Sequence, residues 1–218
     1  MSTPNVKSLL FAEFARVSKA LASGNRLELL EFLAQGERSV DALAKMAGLS
    51  VANTSRHLQV LRQAGLVAAR KEGLFVHYTV SGKGVIKLLA ALQEVAQHNV
   101  AEVAKLVNTY LTSKDSLEPV SVGDLLDRMR SGLVTVIDVR PPEEYAAGHL
   151  SGAINVPLAE LEKNLGKLPG SREVIAYCRG PFCLMSFEAV ARLRSKGLKA
   201  RRLETGFPEW KVAGLPVE

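Results

Sequence analysis

The sequence predicts two domains of different class: a mainly α unit that closes with a β-hairpin, then an α/β unit built on a mainly parallel sheet. Three observations predict this. In residues 1–111 apolar side chains recur at helical spacing, and only residues 66–80 alternate as strands. In residues 120–218 apolar strand runs alternate with helical segments, the pattern of a parallel sheet. Between them, residues 112–119 (TSKDSLEP) are polar with one proline and read as a linker. The 218-residue length suits two ordinary domains.

The elements follow in order. Residues 5–21 carry Val6, Leu9, Leu10, Phe14, Val17 and Leu21 at helical spacing, and Ser23-Gly24-Asn25 interrupts them. Residues 26–34 make a second helix, ended by Gln35-Gly36. Ser39 caps a short third helix with Val40, Leu43 and Ala44. Gly48-Leu49-Ser50 is a turn; Ser50 caps helix 51–64, and Gly65 stops it. Two strands then flank a turn at Glu72-Gly73. A long helix covers about 83–111, with Leu88, Leu89, Leu92, Val95, Val103, Leu106, Val107 and Tyr110 as its apolar positions. In the second half, 134–139 is a buried strand run, and 174–177 is another that leads into Cys178. Residues 184–196 are helical, and 199–203 form a further strand.

Charge separates the halves. Residues 1–114 hold 14 Lys and Arg against 8 Asp and Glu, whereas residues 115–218 hold 14 of each. The whole excess of +6 therefore sits in the first half, as expected of a domain that meets a polyanion such as DNA. No apolar run approaches the roughly 20 residues that span a bilayer, and the opening MSTPNVKSLLFAEF lacks the pattern of a secretory signal. A cytoplasmic protein without membrane contact is expected. The two cysteines, Cys178 and Cys183, both lie in the second half, so thiol chemistry belongs there.

Helix, glycine-containing turn, helix and hairpin is the winged helix-turn-helix pattern. Its presumed recognition helix carries Ser50, Asn53, Thr54, Ser55, Arg56, His57 and Gln59, side chains able to reach base edges or phosphates. Leu58 and Leu61 face the core. Arg70, Lys71 and His77 lie on the hairpin, where a wing tracks the groove or backbone. "SVANTSRHLQVLRQAGLVAARKEGLFVHYTV" resembles the recognition helix and wing of the ArsR family, and "LASGNRLELLEFL" its second helix. The resemblance covers about residues 5–110. It implies a homodimeric repressor of double-stranded operator DNA, with the first and last helices at the dimer interface. The family's metal-sensing thiolates are missing: Ser39-Val40-Asp41 stands where arsenic and cadmium sensors carry cysteines. His98 and Glu102 share a helix face but do not complete a tetrahedral set, so no metal and no cofactor is expected.

"VIDVRPPEEYAAGHLSGAINVPLAEL", "VIAYCRGPFCLMSFEAVARLRSKG" and "LETGFPEWKVAGLPVE" resemble, in order, the opening, the active-site strand and helix, and the close of the rhodanese superfamily. The first contains Asp138, Arg140, Glu143, Tyr145 and the Gly148-His149-Leu150 run. Coverage is about residues 117–218. Cys178 ends a buried strand and starts a tight loop before a helix N-terminus, a setting that stabilises a thiolate or persulfide. Arg179 adds positive charge for an anionic sulfur donor such as thiosulfate, with polysulfide as another. Leu184 occupies the position where phosphatase and arsenate-reductase relatives need arginine, and Pro181 removes one loop N–H. Cys183 is either the partner that resolves an oxidised or persulfidated Cys178 or a small buried residue opening the helix.

These readings converge on a regulator with an ArsR-type domain (1–111), a linker (112–119) and a rhodanese-like domain (120–218). Cys178, Arg179, Cys183, Asp138 and Arg140 form its candidate sulfur site. The expected function is DNA binding, as a repressor, governed by persulfide or redox chemistry at Cys178. Two alternatives stay open: a sulfurtransferase merely tethered to DNA or a partner, and an arsenite-responsive regulator using Cys178 and Cys183.

Overall fold

Serine and asparagine caps set where the first helices begin. In the computed structural model, which describes residues 5–115, 117–168 and 172–218, Asn5 Oδ1 accepts from Ser8 N and opens α1 (Val6–Leu21). Next come α2 (Gly24–Ala34) and the two-residue strand β1 (Arg38–Ser39). Ser39 Oγ accepts from Ala42 N to start α3 (Val40–Ala47), and Gly48, at φ 64°, closes it in the left-handed region. Ser50 Oγ starts α4 (Val51–Gln63) in the same way. Strands β2 (Val67–Glu72) and β3 (Phe75–Val80) pair antiparallel out to Glu72 and Phe75. The turn is therefore Gly73-Leu74, one residue beyond the expected position, with Gly73 at φ 59° in its first central place. The antiparallel sheet runs β1-β3-β2.

The chain divides into two units, Met1–Leu89 and Ala90–Glu218. The first is built around Leu29, Leu30, Leu33, Leu43, Leu58 and Leu61, each essentially inaccessible. Helix α1 buries Ala20 and Leu21 and packs Val17 against the core; Val6, Leu9, Leu10 and Phe14 of its apolar stripe lie exposed.

The expected continuous helix 83–111 is interrupted. Helix α5 (Lys83–Asn99) stops, Val100 is extended, and α6 (Ala101–Leu106) runs into a π-helical turn at Val107–Thr112. Near the break, His98 Nδ1 bonds to Glu94 O and Asn99 Nδ2 donates to Val95 O. Such local side-chain bonds compete with the helical ladder. Apolar periodicity alone does not register them.

In the second unit Ser121 caps α7 (Val122–Arg130). Then follow β4 (Val134–Asp138), α8 (Pro142–Ala146), β5 (Ile154–Asn155), α9 (Leu161–Asn164), β6 (Glu173–Tyr177), α10 (Leu184–Ser195), β7 (Ala200–Arg202) and α11 (Phe207–Val212). The strands form a parallel sheet in the order β5-β4-β6-β7. Helices cover both faces, which is why β4 and most of β6 read as unbroken apolar runs. Strand alternation sorts the residues after β4 and β6. Val174, Ala176 and Cys178 pack with Ile137 and Val139 on the α10 side. Ile175 and Tyr177 pack with Val136 and Trp210 on the opposite side.

The stretch expected as a linker is tied down at Asp115. Its buried carboxylate accepts from Arg194 at 2.7 Å and Arg202 at 2.8 Å, and Lys114 pairs with Glu188 at 2.5 Å. Ser116, within that stretch, lies outside the described residues. Among the described residues no helix is long and apolar enough to cross a membrane.

Candidate functional site

Helix α4 has one inward line and one outward line. Thr54, Leu58 and Leu61, at i, i+4 and i+7, are all inaccessible and point into the core. Ala52, Arg56, Gln59 and Gln63 lie on the outward face and are exposed. Asn53, Ser55 and His57 flank that face and are half-buried. Ser50 uses its Oγ as the cap, 3.2 Å from Asn53 N. Thr54 is thus a correction: its hydroxyl donates to Ser50 O at 3.0 Å inside the fold, away from the outward face. The helical period likewise places Ala52 and Gln63, absent from the sequence-based candidates, on the side opposite Thr54.

On the hairpin, Arg70 pairs across strands with His77, and both look at Glu37. Arg70 meets Glu37 at 2.6 Å and Glu72 at 2.7 Å. The Arg70 hydrogen bond holds the Glu37 carboxyl below the usual carboxylate range. Arg70 was expected to offer its charge outward; in the structure that charge is compensated by two carboxylates. Lys71 is exposed, and so are Leu74 and Phe75 at the hairpin tip. Glu37 went unnoticed in the sequence because nothing local links it to residues 33 and 40 positions later.

The cysteine site grows from the C-terminal ends of two parallel neighbours. Asp138 of β4 lies opposite Tyr177 of β6, and Cys178 comes next, almost wholly buried. The loop to α10 is drawn tight by Cys183 N donating to Gly180 O at 3.2 Å. Phe207 N donates to Cys178 O at 3.1 Å, and Gly206 packs so closely on the Arg179–Gly180 backbone that a Cβ there would collide with it. Cys183 is the N-cap of α10, so its sulfur sits at the positive end of a 12-residue helix. Cys178 and Cys183 are joined as a disulfide, with Cα atoms 6.2 Å apart.

Arg179 is turned toward α8. Its Nε donates to both oxygens of Glu144, at 3.1 and 3.0 Å, and its terminal nitrogen meets Glu144 Oε1 at 2.6 Å. Glu144 is completely buried. The sequence had pointed to Glu143, which is exposed; the residue that engages the loop is its neighbour.

Asp138 and Arg140 bond to one another. Both are fully buried and meet at 2.5 Å; Tyr177 Oη also donates to Asp138 Oδ2 at 2.5 Å. Arg140 reaches Gly148 O at 2.9 Å and lies over the Phe207 ring. Burial, with the Asp138 charge, pushes the Tyr177 hydroxyl pKa well up, so it remains a donor. This network packs on the Tyr177 face of the sheet, opposite to the Cys178 face. Asp138 and Arg140, grouped with the cysteine from the sequence, therefore lie with the strand ends on the face opposite the Cys178 sulfur. His149 stacks on Tyr145 with ring centroids 3.6 Å apart and meets the terminal Glu218 at 3.5 Å. Among the described residues no three His, Cys, Asp or Glu side chains cluster as metal ligands.

A helix-turn-helix with a wing and a parallel sheet with a cysteine loop define a winged helix-turn-helix regulator joined to a rhodanese-like domain. The family model "Bacterial regulatory protein, arsR family" matches residues 23–69, and "Rhodanese-like domain" matches residues 121–213. The chain is 45% identical over 212 residues to "HTH-type transcriptional regulator Rv0324" of Mycobacterium tuberculosis, covering 97% of this chain and 93% of that protein. It belongs to this family of DNA-binding transcriptional regulators, which pair an ArsR-type helix-turn-helix with a rhodanese-like domain. A "Sulfurtransferase" of Allochromatium vinosum is 31% identical over 85 residues, 38% of this chain and 78% of that one. A solved winged helix-turn-helix domain of a possible ArsR-family regulator from Mycobacterium bovis is 42% identical. It covers 46% of this chain and 93% of that one, at TM-score 0.43.

Proposed function

We propose that the protein is a homodimeric operator-binding repressor, acting in the cytoplasm, whose DNA affinity responds to sulfane sulfur or oxidation at Cys178. The ArsR-type domain is taken as residues 1–111 and the rhodanese-like domain as 120–218. The Cys178–Cys183 disulfide at the N-terminus of α10 carries this reading. A loop that brings a strand-end cysteine and a helix-cap cysteine into bonding range is equipped to switch between two covalent states.

The chemistry runs in two steps. The Cys178 thiolate attacks the sulfane sulfur of a donor R–S–SH; a bond forms between that sulfur and Cys178, and R–S⁻ leaves with the electron pair. The Cys183 thiolate then attacks Cys178 Sγ, the Cys178 disulfide forms, and HS⁻ leaves. The sulfane sulfur is reduced to sulfide and the two thiols are oxidised. A cellular thiol, as reductant, resets the pair by exchange. Asp138, Arg140 and Tyr177 act as positioning residues that hold the strand ends from which the loop springs.

On the DNA side, Arg56, Gln59, Asn53, Ser55 and His57 form the reading set, with Ser50 as the cap and Lys71, Arg70 and His77 on the wing. The exposed apolar stripe of α1, with Val6, Leu9, Leu10, Phe11 and Phe14, supports a second copy as its cover.

The test is operator affinity of the reduced, persulfidated and disulfide forms on a duplex selected from random sequence, each form checked by intact mass. A coupling of about 1–3 kcal/mol, or roughly 5–150-fold, is expected between forms. It should vanish in Cys178→Ser. Arsenite serves as a comparison effector. Equal affinity of all forms would leave a DNA-bound sulfurtransferase without a switch. Sedimentation of the full chain reads the dimer.

A further inference from the structure

The loop that carries Cys178 is poor in uncompensated positive charge. Arg179, its one cation, is held bidentately by the buried carboxylate of Glu144. A groove of about 510 Å³ opens beside the loop within the second unit, against Pro181 and Phe182. Its charged lining is acidic: Glu94, Glu204 and Glu209, with His98 as the nearest basic group and no lysine or arginine among the described lining residues. Glu94 and Glu204 are exposed. Glu209 is engaged with Gly206 N at 3.0 Å, and burial raises its pKa.

A dianionic donor such as thiosulfate would approach this loop against carboxylates, with the Arg179 charge already matched. The helix terminus at Cys183 still favours one negative charge, that of the attacking thiolate. Resting on the reading that Cys178 accepts sulfane sulfur, we infer that Glu144, Glu94 and Glu204 make the site selective for organic hydropersulfides with uncharged or cationic R groups over thiosulfate and donors with dianionic R groups. Glu144 acts through Arg179 and is a positioning residue; Glu94 and Glu204 act on the approaching donor. In the transfer, Cys178–S⁻ bonds to the terminal sulfur of R–S–SH, the R–S to sulfur bond breaks, and R–S⁻ departs. The proton stays on the sulfur that moved.

The test uses reduced, desalted full-length protein and four donors: the hydropersulfides of cysteamine, mercaptoethanol and mercaptosuccinate, and thiosulfate. The first three share their sulfur chemistry, and their R groups run from cation to dianion. The rate at which Cys178 gains one sulfur atom is followed by intact mass. The cationic and neutral donors should react at least about tenfold faster than the two dianions, by an advantage that shrinks with added salt. Glu144→Gln, and separately the surface pair Glu94→Gln with Glu204→Gln, should raise the dianion rates severalfold. The neutral donor should stay within about twofold. The surface pair keeps the test decisive where Glu144→Gln fails to fold. Equal rates for neutral and dianionic donors in the wild type, or variants that raise all rates alike, would overturn this inference alone. Failure of every donor to add sulfur would overturn the sulfur-acceptor reading beneath it as well.

Discussion

The face of α4 and the loop at Cys178 use burial in opposite ways. On α4 the proposed reading residues Arg56 and Gln59 are exposed, and the polar residue buried among them, Thr54, bonds within the fold. At the loop the candidate atoms are buried: Cys178 is almost inaccessible and Glu144 wholly so, while Glu143 next to it is exposed. The physics of the partners explains the contrast. A DNA groove is a large, water-covered surface read by long side chains that reach outward. A thiolate needs a closed setting of backbone N–H groups and a helix end that fixes its charge. On the proposed function, exposure would mark the reading residues of the first unit and burial the sulfur site of the second.

The largest test of that contrast is Asp138→Ala. It leaves Arg140 buried without its carboxylate and Tyr177 without its acceptor. Removing one partner of a buried ion pair costs about 3–5 kcal/mol. The single tryptophan, Trp210, is buried in the second unit and reports its unfolding by fluorescence. The denaturant midpoint read by Trp210 should fall sharply. A midpoint close to wild type would show that the Asp138–Arg140–Tyr177 network does not brace the strand ends.

Next in size is a pair on α4. Arg56→Ala should weaken specific operator binding by about 1–3 kcal/mol if it meets a base bidentately. Thr54→Ser, which keeps the hydroxyl that bonds Ser50 O, should leave the sequence preference unchanged while lowering stability through the lost methyl, about 1 kcal/mol. Fluorescence anisotropy on matched and mismatched duplexes separates the two. A loss of base preference in Thr54→Ser would return Thr54 to the reading face.

Much of this was legible from the residues because the signals are local. Ser39 and Ser50 announce helix starts, Gly48 and Gly65 announce stops, and the 134–138 and 174–177 runs announce buried parallel strands. The hydroxyl of Thr54 suggests a reading residue, but its helical phase, shared with Leu58 and Leu61, places it on the inward line. The two-residue strands β1 and β5 carry no periodicity, and their pairing is non-local. At the stop after Asn99, His98 and Asn99 bond to backbone one turn earlier, a feature that apolar periodicity does not register. The Arg179–Glu144 and Arg70–Glu37 pairs join residues 35 and 33 positions apart, and only the fold brings them together.

The smallest expected effect concerns that last pair. Glu37 and Glu72 compensate Arg70 at 2.6 and 2.7 Å, so the wing presents less positive charge than its sequence suggests. The Arg70 bond keeps Glu37 ionised to lower pH than an ordinary glutamate, so the compensation is complete at neutral pH. Glu37→Gln removes one of the two carboxylates and leaves a neutral group of the same shape. Arg70 is then freer to meet a phosphate. Each phosphate neutralised by the protein adds about 0.9 to the slope of log affinity against log salt. The variant should bind DNA more tightly at low salt, with that slope steeper by up to about 0.9. Because phosphate contacts carry no base information, operator and random duplex should gain alike. Titrations across a salt series decide it. An unchanged slope would mean that Arg70 stays with Glu72 and that the wing reaches the backbone through Lys71 alone.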